Sequence, residues 1–267
     1  MTTFIALLAR LAAVDDADLA RPDRWRGIRV GARYARLFRT LEIEQEAVVA
    51  ARISYLGTEA QRILGLAQIA YGDLRGVLAG VGSEALDRSP AEGEWSARRT
   101  LEHAIGVERS YRANTRHAIV RGADEPLTLP AERRPQPDPA DTAGDGSALA
   151  EHLGARRAET DADLGRITED EMTRASHWGA LEEGLDVDVR FRLHRFASHL
   201  VEHTVQCERA LEAAGVVFGD ARRVVRRISV LRAMHERITP AAELARLDAG
   251  HAQRLAGAGA GDRGRAP

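Results

Sequence analysis

His199-Leu200-Val201-Glu202-His203 places two imidazoles four residues apart in a segment whose apolar pattern reads as helix. A helix turns by about 100° per residue, so positions four apart stand about 40° from each other, one above the other. Two neutral imidazoles placed this way form a clamp for Zn, Ni and similar ions. A third imidazole, His103, lies almost a hundred residues upstream, shortly after Trp95-Ser96. Three histidines with a fourth position left open are the donor set of a catalytic zinc site, not of a closed structural one. The chemistry is then one of two kinds. The ion stabilises a bound thiol as its thiolate, or it lowers the pKa of a bound water for hydrolysis. On its own, a histidine pair of this spacing is most simply a solvated helix face. The weight comes from its neighbours: with His199 at zero, Gln206 falls at about −20°, Ala210 at about +20° and Phe196 at about +60°. From His103, the same arithmetic collects Val107, Ser110, Asn114 and His117 on one face. Polar residues in a row on a face that points into a bundle need partners, and a ligand pocket supplies them.

The elements that must carry these residues are helical. Thr58-Glu59-Ala60-Gln61 is a capping-box pattern, and Ile63, Leu66, Ala70, Leu74, Val77 and Leu78 recur behind it at helical spacing until Gly80 and Gly82. Ser96 is placed to cap a helix from about Ala97 to Arg121. Residues 121–147 hold Pro126, Pro130, Pro135, Pro137 and Pro139 with Gly144 and Gly146, a long irregular connection. A crossover of that length lets consecutive helices run parallel. A third helix is predicted from about Ala148 to Ile167. A second capping box follows at Thr168-Glu169-Asp170-Glu171, then a loop around His177-Trp178-Gly179 to Gly184. The histidine pair sits in a fourth helix, from about Val187 to Ala214, stopped by Gly215. Two more helices are expected near Arg222 to Ile238 and Pro240 to Leu255. The organisation read from this pattern is an N-terminal helical extension (1–56), a bundle (57–215), C-terminal helices (216–256) and a disordered tail (257–267). Val14 to Trp25 faintly parallels Ile167 to Trp178, which makes the extension a candidate degenerate half-repeat without histidines.

Composition narrows the function classes. The chain has 267 residues, 44% hydrophobic and 29% charged, with a formal net charge of −2. Near-neutral charge gives no electrostatic case for nucleic acid or an anionic membrane. The single cysteine, Cys207, excludes an internal disulfide and reads as a buried soft hydrophobe rather than a fourth ligand. The N-terminal apolar run is broken by Arg10 and is too short to span a bilayer, so a cytoplasmic protein is expected. All basic side chains are arginine, with no lysine, which points to a GC-rich host. The run Arg222-Arg223 to Arg226-Arg227 reads as a solvated helix face. Trp95 is expected as a core anchor at the start of its helix, and His117 as a rim or surface residue. His194 points away from His199, and His152, His177, His235 and His251 have no evident partners.

Glu94-Trp95-Ser96, then Leu101-Glu102-His103, then a late HxxxH with Gln206 three residues after its second histidine, resembles the DinB-like (DinB/YfiT-like) metalloenzyme family. The resemblance covers roughly Thr58 to Gly215. It implies an all-α, up-down-down-up four-helix bundle, with the Pro-rich connection as its crossover. It also implies a divalent metal, Zn or Ni, held by His103, His199 and His203, and a homodimer. Many members carry HxxHH before Gly-Gln, whereas here Glu202 and Val205 stand at the departing positions. The family's thiol chemistry, carried by transferases and isomerases using mycothiol or bacillithiol, implies a metal-dependent transferase. It would join a low-molecular-weight thiol cosubstrate to a small-molecule substrate in detoxification or stress response. Gln206 and Asn114, with Ser110 nearby, are then expected to orient substrate, and Glu102 or Glu202 to hold a ligand imidazole by its second nitrogen. The alternatives are a non-catalytic metal-binding bundle acting as an interaction module, and a metal-dependent hydrolase.

Overall fold

The computed structural model describes residues 4–14, 16–19, 21–25, 28–32, 36–37, 39–41, 43–44, 57–179 and 185–260. Helices dominate, so the chain is all-α. No helix among the described residues is long and apolar enough to cross a membrane. In chain order the elements are α1 (Phe4–Ala12), α2 (Asp16–Leu19), β1 (Pro22–Trp25), β2 (Ile28–Gly31), α3 (Glu59–Leu78), α4 (Ser83–Asp87) and α5 (Ala97–Val120). They continue with α6 (Gly146–Leu164), α7 (Glu169–Met172), β3 (Ala175–Trp178), β4 (Leu185–Asp188), α8 (Val189–Ala213), α9 (Asp220–Glu236) and α10 (Ala241–Ala260).

Local chemistry sets the helix ends. The Thr58 hydroxyl accepts from Gln61 N while the Gln61 side chain accepts from Thr58 N, so both arms of the capping box close. Thr168 and Glu171 do the same at α7. Ser96 Oγ accepts from Arg99 N at the start of α5, and Asp188 Oδ1 from Phe191 N at the start of α8. Gly215 takes φ +90°, the left-handed conformation that closes α8. α6 starts two residues earlier than its pattern suggests, because Asp145 caps it through Ser147 N and Ala148 N.

α3, α8, α5 and α6 close a ring in that order, each packing on its two neighbours. Pairwise contacts give their directions. Arg190 at the start of α8 bonds Glu59 at the start of α3, so these two run parallel. Arg98 reaches Gly144 O just before α6, and further along Arg157 reaches Glu108, so α5 and α6 also run parallel. Tyr111, late in α5, meets Phe196, early in α8, so that pair is antiparallel. An apolar cluster joins α1 to α9, and inside the ring the core divides into two further apolar layers. One holds Leu74, Leu78, Leu101, Ile105, Leu149, Leu153 and Leu200, the other Ile63, Leu64, Ile119, Leu164, Leu193 and Phe196. Between them runs a polar layer, with Glu108, Arg157 and Thr160 on α5 and α6 and the histidines on α5 and α8.

The long connection is irregular apart from two 3-10 turns, Ala131–Arg133 and Pro139–Thr142. It is nonetheless anchored. Buried Asp141 accepts from Arg109 on α5 and from Arg156 on α6, and His152 bonds its carbonyl. His117 is buried, not on a rim: its Nε2 meets Pro126 O at 2.9 Å and holds the other end of the connection.

Two hairpins depart from the helical reading. Where a loop is expected at His177 to Gly184, β3 pairs with β4 antiparallel, Ala175 with Asp188 through Trp178 with Leu185. Residues 180–184 lie outside the described residues. Strands of four residues are too short to show a period of two in sequence; here Ser176 and Trp178 turn inward while Ala175 and His177 face out or lie half-buried. A second hairpin, β1 with β2, stands in the N-terminal segment expected to be helical. It follows α2 as β3–β4 follows α7, and Trp25 closes β1 as Trp178 closes β3. α10 extends through Ala260, past the point where the tail was expected to begin; residues 261–267 lie outside the described residues.

α9 lies along the outer side of α3, and α1 packs on α9 and α10. Glycine makes the close approach of α9 possible. A Cβ on Gly72 would stand 2.7 Å from Ala233 Cβ and 2.9 Å from Ser229 O, and one on Gly76 would stand 2.7 Å from Arg226 Cα. Gly72→Ala must therefore push α9 outward, at a cost of about 1–3 kcal/mol. Urea unfolding should register that loss; an unchanged midpoint would show that α9 is not seated on α3. The basic run on α9 is only half solvated. Arg223 and Arg227 are exposed, but Arg226 bridges Asp73 of α3 and Glu208 of α8, and Arg222 donates to Ala79 O.

Candidate metal centre

His103 projects from the second turn of α5, and His199 and His203 from the middle of α8. One ring nitrogen from each lies within 4.8 Å of the others. The ring centroids are 4.0 Å apart for His199 and His203, 5.4 Å for His103 and His199, and 5.0 Å for His103 and His203. The two Nε2 atoms of α8 face each other at 2.8 Å. Nitrogens on a tetrahedral ion at 2.0–2.1 Å stand roughly 3.3 Å apart, so a small parting of the rings makes room for one. The donors fit a borderline ion in kind as well: they are three neutral imidazoles with no carboxylate among them.

The electrostatics keep the imidazoles neutral. Burial, then the neighbouring His203, His103 and Arg195, pushes His199 down to about 3. Burial, then His203, lowers His103, against Glu202. Burial lowers His203, against its bond to Gln206 and the charge of Glu202. A ligand already neutral at pH 7 gives up no proton when a cation arrives.

Gln206 has a definite task. Its Oε1 lies 2.6 Å from His203 Nδ1. A carbonyl oxygen only accepts, so the His203 proton sits on Nδ1 and the bare Nε2 faces the cluster. This is the outer-shell support that ligating histidines ordinarily receive from a carboxylate or backbone carbonyl. Glu202 acts on the cluster through its charge. Asn114 turns along its own helix and donates through Nδ2 to Ser110 O at 2.8 Å, with Ser110 Oγ at 3.4 Å. Glu102 is half-buried beside His103 in sequence.

Trp95 is not a core anchor. It is 38% exposed, and its ring stands edge-on to His103 at 5.0 Å with the Arg99 guanidinium above it. It shields one side of a ligand that is otherwise open to solvent. The site opens outward on the side of His103, which is exposed while His199 and His203 are buried. Cys207 faces away from this opening. It is buried, its thiol donates to Ala97 O at 3.8 Å, and burial pushes it up to about 12. Two of the other histidines have carboxylate partners: His177 bonds Asp186, and His251 bonds buried Glu44. Tyr111 stands against His199 and packs on Phe196 and Trp178; of these, Trp178 is the one that helical arithmetic misses, because it arrives on a hairpin.

Fold and cluster together define a helical-bundle protein with a three-histidine group able to hold a metal ion. The chain belongs to the DinB superfamily, whose model matches residues 67–207, just over half of the chain and all three histidines. No curated protein and no solved structure matches it.

Proposed function

We propose that the chain is a divalent-metal-dependent transferase that uses a low-molecular-weight thiol of the mycothiol type in detoxification or stress response. The carrying observation is the convergence of three neutral imidazoles from two helices at a site open on the His103 side. In this reading His103, His199 and His203 hold Zn or Ni, and residues 57–215 form the working unit, acting as a cytoplasmic homodimer. The ion, when bound, supplies a Lewis acid that stabilises a thiolate at neutral pH. The protein's own part is positional. Gln206 fixes the His203 tautomer, Trp95 braces His103, and the carboxylate of Glu202 tempers the positive charge of the centre. Ser110 and Asn114 lie further along α5 and are assigned to substrate contact.

The test is conjugation of monochlorobimane by the purified full chain with mycothiol, bacillithiol and glutathione, with Zn or Ni and after chelation. Metal-dependent conjugation, fastest with mycothiol, is expected. Stoichiometric metal binding with no conjugation of any thiol would overturn the enzyme reading and leave a metal-binding bundle.

A further inference from the structure

We propose that the metal centre is flanked by a carboxylate subsite built on Arg195, so that the substrate is an anion with an apolar or aromatic body. The inference rests on reading the three histidines as a metal centre, and it names the substrate class of that centre.

Arg195 sits one turn before His199 on α8, close enough for its charge to act on that imidazole. Its guanidinium carbon lies 5.5 Å from the Trp178 ring centroid, and its charge acts on the neighbouring Tyr111 hydroxyl. Tyr111 in turn stands 5.0 Å from Trp178 and 5.4 Å from His199, ring to ring, so one aromatic wall joins the guanidinium to the metal ligands. Elsewhere in this protein, buried guanidinium groups are paired: Arg157 with Glu108, Arg75 with Glu236 and Arg232 with Glu44. Among the described residues no carboxylate lies within ion-pairing distance of Arg195, and its Nε is buried without a hydrogen-bond partner. Arg192, three residues before it, also lacks a carboxylate and spends its donors on Ser176 Oγ and His177 O. Arg195 is half-buried against Trp178 and keeps its positive charge beside the histidines with no protein carboxylate to answer it. An incoming carboxylate gains a charge-assisted bond to that guanidinium, while the half-buried Tyr111 ring between Arg195 and His199 takes the apolar body of the same molecule.

Benzoate is a suitable probe, with benzamide as its neutral counterpart. Titration calorimetry on the zinc-loaded full chain should show benzoate binding well ahead of benzamide. Arg195→Gln should weaken benzoate at least about tenfold, leave benzamide unchanged and retain the parent's zinc content, and Arg195→Lys should recover part of the loss. Equal benzoate affinity in the parent and in Arg195→Gln overturns the subsite, and so does benzoate binding that depends on His199 but not on Arg195. A parent that takes up no zinc yet binds benzoate through Arg195 separates the two ideas: the metal centre then fails and the subsite stands.

Discussion

His203→Ala is expected to bring bound metal from one ion per chain to a trace, with the helical content unchanged. Two of the three donors come from α8, and removing the lower one leaves His103 and His199 as a pair on different helices. It also strands Gln206, whose Oε1 is held by His203 Nδ1. Gln206→Ala is the graded companion. It keeps all three donors and removes only the acceptor that fixes the tautomer, so affinity should fall by about 10–100-fold rather than vanish. Elemental analysis and competition with a chelating indicator read both variants. A His203→Ala protein that still carries one tightly held ion would remove the three-histidine centre from consideration.

Glu108→Ala is expected to destabilise the fold by about 3–5 kcal/mol. Arg157 is fully buried, and its Nη1 is bonded to Glu108 Oε1 at 2.6 Å. Thr160 donates to the same oxygen, and Arg157 Nη2 reaches Asp161. Taking away the carboxylate leaves a guanidinium in the core with half its compensation gone. For a domain whose total stability is about 5–15 kcal/mol, that approaches unfolding. The paired replacement Glu108→Leu with Arg157→Met should recover most of the loss, because apolar side chains of similar volume commonly match or better a buried ion pair. Urea midpoints for the two singles and the double form a cycle. A loss below about 1 kcal/mol in Glu108→Ala would show that water reaches the pair.

Much of this architecture is legible in the sequence, because it is written in short-range chemistry. Thr58, Ser96 and Thr168 declare helix starts through side chains that reach only three residues ahead. The alignment of His199 with His203 follows from helix geometry alone. What stays hidden depends on long-range neighbours. Gln206 shares the histidine face, but only the packed structure shows that its oxygen turns back onto His203 instead of out toward the opening. Trp95 has the composition of a core residue and becomes a surface brace because His103 is beside it. Arg226 looks like part of a solvated run until Asp73, more than 150 residues away in the chain, is found against it. The role of Gly72 and Gly76 shows only in the packed structure, where α9 rests on them.

The order of the ring has a consequence for synthesis on the ribosome. α3 packs most extensively on α8 and α9, and α8 begins more than a hundred residues after α3 ends. At the usual pace of translation, roughly 5–20 residues per second, α3 leaves the exit tunnel several seconds before either partner exists. Until then its apolar face is covered by α6 alone among its ring neighbours, and the rest must wait, shielded by a chaperone or by temporary contacts with the nascent α5. The histidine cluster is likewise divided across that interval, since His103 emerges long before His199 and His203. An ion held by all three histidines therefore meets its full donor set only after α8 has emerged, more than a hundred residues after α3 ends.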